Sequence, residues 1–429
     1  MNRSRKPVSC AAPSSERRRL RFAPGVATRY LAAWLAALAC ATPAAAQQAI
    51  SGDVVKIGVL TDMSGAYSDF TGSGAVIAAK MAMNDFSAAG KVLGKPIEVV
   101  SSDHQNKADV GAQRAQSWFD RENVDVITEL VTTSVALAVM NVAEQKNKLV
   151  LISGAASLPI TNERCNANTV HWVYDSYGLA AGTAKAVVQT GKKNWYFIAA
   201  DYAAGAAMTR EASQVVTNSG GKVLGVVKHP FPAGDFSSFL VAAQSSKADV
   251  IALANGGQDT ITAIKQAAEF GITGSAQTIV PIVLFITDVH ALGLKTAQGL
   301  TLTEGFYWNR DEKTRAWSRR FFEKARKMPS MAHAGVYSSV LNYLKAVEKS
   351  GTDDSAKVMA TLKSTDIDDG LFKGTVRADG KFVHDMLLLE VKKPAESKEP
   401  WDYYHVRRII PAADTALPLA ESKCKLVAR

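Results

Sequence analysis

Little in this chain is equipped for covalent chemistry. It has no His-Glu-x-x-His pair, no Gly-x4-Gly-Lys-Ser/Thr loop and no Gly-x-Ser-x-Gly elbow. Those absences remove the zinc-peptidase, phosphate-transfer and hydrolase sites that such motifs carry. The seven histidines, His104, His171, His229, His290, His333, His384 and His405, are scattered without metal-ligand spacing. Gly72-Ser73-Gly74 lacks the third glycine of a dinucleotide fingerprint. The turn Thr61-Asp62-Met63-Ser64-Gly65 after the first apolar strand lacks it too. No catalytic residue, cofactor or metal is expected. Long apolar runs are also missing. The run Leu31–Ala41 is eleven residues, too short for a permanent membrane span.

That short run belongs to an expected export signal over residues 1–46. Arg17, Arg18, Arg19 and Arg21 precede it, Pro43 breaks it, and Ala44-Ala45-Ala46 before Gln47 fits a small-x-small cleavage site. The segment distorts the net charge of +10. Removing its eight basic residues and one acid from 50 and 40 leaves 42 and 39, a net charge of +3. The remainder is near balance, so its net charge gives no reason to expect a nucleic-acid partner. Cysteine is scarce, with four in all. Without Cys10 and Cys40, only Cys165 and Cys424 remain. In an oxidising compartment these are expected to form one disulfide tying the C-terminal tail to the body, the alternative being two buried thiols.

What the chain does have is a βα rhythm. Strand-like runs at Val54–Leu60, Ile97–Ser101, Val124–Leu130, Leu149–Ser153, Trp195–Ala200, Val223–Lys228, Val250–Ala254 and Ile279–Ile286 alternate with helical patterns. The helical patterns include Gly74–Ala88, Val135–Gln145, Gly205–Ser219 and Thr260–Phe270. Continuous apolar strands alternating with helices predict an α/β fold with buried parallel sheets. The length suits two cores. The C-terminal third changes character. Helices are expected at Thr314–Lys327, Val336–Lys349 and Ser355–Leu362. An Asp379-Gly380 hairpin signal follows, and then antiparallel strands at Met386–Val391 and Tyr403–Ile410.

Ligands of open α/β sheets bind beyond the carboxyl ends of the strands. The candidate loops are Asp62–Tyr67, Thr132–Ser134, Ser153–Ser157, Asp201–Tyr202, Asn255–Asp259 and Asp288–His290. Hydroxyls at a helix start suit a carboxylate, because free amides and a partial positive charge gather there. N-capping and turn formation would use the same residues. Tyr67, Tyr202 and Trp172 could pack on an apolar ligand. Asp201 and Asp288 could meet an ammonium, or serve as caps and ion-pair partners.

The run Val55-Lys56-Ile57-Gly58-Val59-Leu60-Thr61-Asp62-Met63-Ser64-Gly65 resembles the opening of the leucine/isoleucine/valine-binding protein family. The likeness continues through Met83-Asn84-Asp85-Phe86, Gly94–Glu98, Ser134–Val139, Leu151–Ser157 and Ala200-Asp201-Tyr202. The resemblance implies a type I periplasmic binding fold, two Rossmann-like lobes joined by three crossovers with a ligand cleft between them. Lobe 1 would comprise 47–172 plus about 303–384, and lobe 2 would comprise 173–302 plus about 385–410, with a tail over 411–429. By motif position, Ser134 would carry the carboxylate-binding hydroxyl with Thr133 beside it. Ala155 and Ala156 would supply backbone, Ser157 a second hydroxyl, and Tyr67 and Tyr202 pocket walls. The second-lobe acid and tyrosine that hold an α-ammonium in the family have no evident match, though Asp288 or Asp259 could substitute. The resemblance therefore implies a monomeric periplasmic receptor that hands a hydrophobic amino acid or an aromatic or aliphatic acid to an ABC permease. A sensor module of the same fold and an exported hydrolase are the alternatives.

Overall fold

A computed structural model describes residues 50–273 and 275–428. The expected export signal, with Cys10 and Cys40, lies outside the described residues. No helix among the described residues is long and apolar enough to cross a membrane.

The first sheet contains β1 (Val55–Thr61), β2 (Lys91–Val92), β3 (Lys95–Asp103), β4 (Val126–Glu129), β5 (Leu149–Ile152) and β6 (Thr169–His171), in the order β2-β3-β1-β4-β5-β6. All its pairings are parallel except β2 with β3, a short antiparallel edge. The second sheet contains β7 (Asn194–Ala200), β8 (Lys222–His229), β9 (Val250–Ala254) and β10 (Thr278–Pro281), in the order β10-β9-β7-β8, all parallel. β4, β5 and β9 are buried at every position. That is why they read as unbroken apolar runs rather than alternating ones.

Helices α1 (Gly72–Phe86), α2 (Ala108–Arg121), α3 (Thr133–Lys146), α4 (Ser176–Gln189), α5 (Ala203–Asn218), α6 (Ser237–Ser245) and α7 (Gln258–Glu269) connect the strands. The apolar run at Ile279–Ile286, expected as one strand, divides. β10 stops at Pro281, and α8 (Ile286–Leu292) begins with the Asp288 carboxylate accepting from the Phe285 amide at 2.9 Å. Short α9 (Leu294–Ala297) follows.

The remaining chain serves both lobes. Helices α10 (Glu312–Ala325), α11 (Met331–Ser350) and α12 (Ser355–Lys363) follow β11 (Thr301–Glu304). α11 packs on α1 through small residues, and a β-carbon at Gly74 would collide with the His333 ring. After β12 (Ile367–Asp368), strands β13 (Lys373–Val376) and β14 (Phe382–His384) form the hairpin, with Asp379-Gly380 in its turn and Gly380 at φ +85°. β15 (Met386–Val391) and β16 (Tyr404–Ile410) pair antiparallel, as expected, and β11 joins the other edge of β15.

The chain thus crosses between lobes three times, at His171–Ser176, Glu304–Glu312 and His384–Met386. The crossings meet at one place. His384 Nε2 lies 2.7 Å from the Val173 carbonyl, and a β-carbon on Gly305 would press on both residues. Asp175, which caps α4, pairs with buried Lys381 at 3.2 Å. Cys165 and Cys424 are joined across 259 residues.

Candidate functional site

Each parallel sheet reverses its winding direction once. In the first, β3 lies on one side of β1, and β4 through β6 lie on the other. In the second, β8 lies on one side of β7, and β9 and β10 lie on the other. The loops beyond such points splay apart and leave a crevice. Here they are the loops after β1 and β4 and those after β7 and β9. They meet face to face around one internal space of about 30 Å³. Its walls include Tyr67, Phe70, Val131, Thr132, Gly154 and Ala156 from the first lobe side, with Tyr202, Met208, Asn255, Gly256 and Val283 opposite. A space of that size holds about one water molecule, so a solute enters only when the lobes part. A larger groove of about 500 Å³ lies beside the crossings. None of its lining side chains is a buried polar group without a partner.

The first-lobe wall carries buried polar groups without partners. Thr132 stands at the N-cap of α3 in extended conformation, and its side chain makes no capping bond. The hydroxyls of Thr132, Thr133, Ser153 and Ser157 are buried with no hydrogen-bond partner among the described residues. Opposite α3, the Ala155, Ala156 and Ser157 amides donate no backbone bond among the described residues. The neighbouring groups are engaged. Ser153 and Gly154 amides donate to the Glu129 carbonyl at 3.0 and 3.2 Å. Tyr174 donates to the Gly154 carbonyl, and His171 Nε2 lies 2.7 Å from the Ala155 carbonyl. Buried polar groups left unpaired cost about 1–3 kcal/mol each. Of the four hydroxyls, only that of Thr132 belongs to a residue lining the space, at a helix start where anions are favoured, while Ser153 Oγ lies toward α11, 3.2 Å from where a β-carbon on Gly335 would sit.

Aromatic rings from both lobes flank the space, Tyr67 and Phe70 from the first and Tyr202 from the second. The hydroxyls of Tyr67 and Tyr202 meet across the cleft at 2.6 Å. Phe231 stacks on both rings, with centroids 5.6 and 4.8 Å away. Phe70 stacks on Phe285 at 4.0 Å, and Gly257, at φ +60°, brings its backbone against the Ala66 carbonyl. Burial pushes the Tyr67 hydroxyl well above its ordinary pKa and Tyr202 up to about 12, so both are neutral at physiological pH. No charged side chain lines the space.

The structure therefore brings Tyr67, Ala156 and Tyr202 together around one space. Thr133, Ala155 and Ser157 are buried just behind that wall. It does not bring Ser134 there. Ser134 lies on the exposed face of α3, and the lining hydroxyl is Thr132, two residues earlier. It does not bring Asp288 there either. That carboxyl caps α8, with burial raising its pKa to about 7. Trp172 donates to Ser338 at 2.8 Å inside the core, and Asp201 pairs with Lys228 at the surface. Phe70, Val131, Gly154, Tyr174, Met208 and Val283 were not singled out from the sequence. Gly154 lay within a candidate loop, while the others look like any core residue.

The sequence profile of the periplasmic binding protein family matches residues 54–398. A crystal structure of a periplasmic binding protein from Burkholderia mallei is 52% identical, with a TM-score of 0.85, covering 87% of this chain and 99% of that one. The periplasmic ligand-binding protein of a branched-chain amino acid ABC transporter from Burkholderia xenovorans is 39% identical at TM-score 0.79, covering 87% of this chain and all of that one. A Leu/Ile/Val-binding protein homolog of Brucella melitensis is 26% identical over 343 residues, 77% of this chain and 85% of the relative. With two hinged lobes, facing switch points and this match over most of its length, the chain belongs to the periplasmic binding protein family.

Proposed function

We propose that the protein captures a small carboxylic acid with a flat or branched apolar body in the periplasm and delivers it, as a monomer, to an ABC permease. The observation that carries this is the meeting of free polar groups and uncharged aromatic rings around one space. The unpartnered Thr132 hydroxyl at the start of α3 and the free amides of the 155–157 loop adjoin a space walled by the uncharged rings of Tyr67, Phe70, Tyr174 and Tyr202. The carboxylate would take the Thr132 hydroxyl and the free amides, and the apolar body would part Tyr67 from Tyr202. Only the closed form touches a solute from both sides, so binding favours closure.

The lining has no acid to hold an ammonium, so an acid without an α-amine, such as benzoate, is the leading choice. A branched-chain amino acid is the second reading, and Asp259 favours it. Its carboxyl follows the lining residues Asn255 and Gly256, buried, with Oδ2 making no hydrogen bond though 3.7 Å from His229 Nδ1, and with its pKa raised to about 6 by burial. Thermal shift with benzoate, 4-hydroxybenzoate and L-leucine separates these. A ligand at 100 times its Kd stabilises by about 2.7 kcal/mol. Asp259→Asn is expected to leave benzoate binding unchanged and to abolish any leucine shift. The absence of a shift with every acid would refute the carboxylate reading.

A further inference from the structure

Beneath the anion-receiving corner lies a carboxyl that this role does not use. Glu129 ends β4, fully buried, with neither oxygen partnered among the described residues. The Thr61 hydroxyl and the Leu130 and Val131 amides lie close enough to favour its charge, but the hydroxyl donates to Thr71 at 3.2 Å and the Leu130 amide to the Leu60 carbonyl at 3.1 Å. The titratable neighbours are Asp62, after β1, and Tyr174, in the first crossing. Asp62 is already committed to the Gly65 and Tyr67 amides and to Asn106. Glu129 Oε1 fills the space that a β-carbon on Gly154 would take. The carboxyl therefore lies directly against the backbone of a loop that lines the cavity.

The backbone here is unusual too. Glu129 and Leu130 have φ of +87° and +60°, values that non-glycine residues rarely adopt and that tend to mark functional sites. The bend turns the Glu129 carbonyl onto the Ser153 and Gly154 amides, so the strand end and the loop are fixed to each other. Burial, and secondarily the Asp62 charge, push the Glu129 carboxyl up to about 8.

We infer that Glu129 is a positioning residue whose neutral form admits a ligand carboxylate to the Thr132 corner and whose ionisation expels it. The inference rests on the carboxylate reading above. Two negative charges separated by one strip of backbone, away from water, repel strongly. Binding and proton retention are then linked. The bound carboxylate raises the Glu129 pKa further, and affinity falls as the pH climbs past about 8, approaching about tenfold per pH unit.

The test compares wild type with Glu129→Gln, using benzoate as probe. At pH 6 both proteins bind benzoate alike. At pH 9.5 the wild type is at least tenfold weaker, while the glutamine variant is unchanged. Wild-type binding in paired buffers of different ionisation enthalpy at pH 8.5 shows proton uptake, a readout that needs no variant. A ligand-free comparison adds a further check. An unfolded glutamate ionises near about 4.3, while the folded one keeps its proton to about 8. The folded state therefore holds the extra proton in that window, and wild-type stability falls with rising pH there relative to Glu129→Gln. No benzoate binding at pH 6 by either protein would count against the carboxylate reading and take this inference with it. Intact binding at pH 6 that persists unchanged at pH 9.5 in the wild type, without proton uptake, would overturn the role of Glu129 alone.

Discussion

Thr132 and Ser134 differ by two positions and point to opposite outcomes. Successive residues at a helix start turn about 100° apart. A run of three hydroxyls, Thr132-Thr133-Ser134, therefore sends one toward the cleft and one toward solvent. Thr132 is buried, unpartnered and part of the cavity wall, whereas Ser134 is exposed. Replacing Thr132 with valine keeps the shape and removes the hydroxyl. Binding of a carboxylate is expected to weaken by about 1–3 kcal/mol, because one of its oxygens loses a buried partner. Ser134→Ala is expected to leave affinity unchanged. Titration calorimetry on both variants checks this, and equal losses in the two would return the hydroxyl role to Ser134. The hydroxyl cluster was legible in the sequence, but which member turns inward was not. That depends on where the first helical residue falls, and capping residues and ligand-binding residues are the same types.

At the level of elements, the parallel strands were readable because burial on both faces leaves nothing to alternate. Val250–Ala254 is apolar throughout, and it is a strand with every residue buried. The same rule failed where apolar residues continue through a bend. Ile279–Ile286 is one run in sequence, but strand, loop and helix start in space. It failed in the other direction at Thr301–Glu304, where three of four residues are polar and three of four are buried. There burial comes from strand pairing with β15 and from Thr303 meeting Thr183 at 2.8 Å. The second-lobe rim was marked by its glycines without revealing their purpose. Gly257 begins α7 at φ +60°, and a β-carbon there would lie 2.6 Å from the Ala66 carbonyl of the facing loop. Gly257→Ala is expected to cost about 1–3 kcal/mol of stability, because φ +60° with ψ −136° is a conformation non-glycine residues rarely hold. Its larger effect is on closure, because the clash arises where the two lobes touch. Ligand affinity should drop by more than the stability change predicts. Denaturant titration together with calorimetry checks this, and a variant losing stability but not affinity would show that closure tolerates the added methyl.

For the whole molecule, the question is what the Cys165–Cys424 bond restrains. Cys165 lies between β5 and β6, and Cys424 lies in the tail beyond β16, so the bond links segments on either side of the crossings. The tail reaches it by passing the start of α4, where Thr415 lies against Gly178, and then the hairpin turn, where Arg377 donates to the Leu417 carbonyl at 2.8 Å. The first landmark lies just past Ser176, where the first crossing ends, and the second lies in the turn leading to His384, which packs on Val173 and Gly305. A tether close to the axis of a hinge changes length little as the hinge opens. It should therefore stabilise the fold without resisting ligand entry. In the chain-entropy picture, closing so long a loop contributes on the order of 4–5 kcal/mol as an upper figure. Cys424→Ser is expected to lower the denaturation midpoint accordingly, while the affinity for a bound acid stays within about twofold, as for a site with no shared contacts. No residue of the cavity wall lies in the tail, so a direct loss of contacts would not explain a larger change. Paired denaturation and calorimetry on the variant decide between the two pictures. A tenfold gain or loss in affinity would mean that the tail takes part in the opening motion, and the hinge axis would then have to lie away from the three crossings.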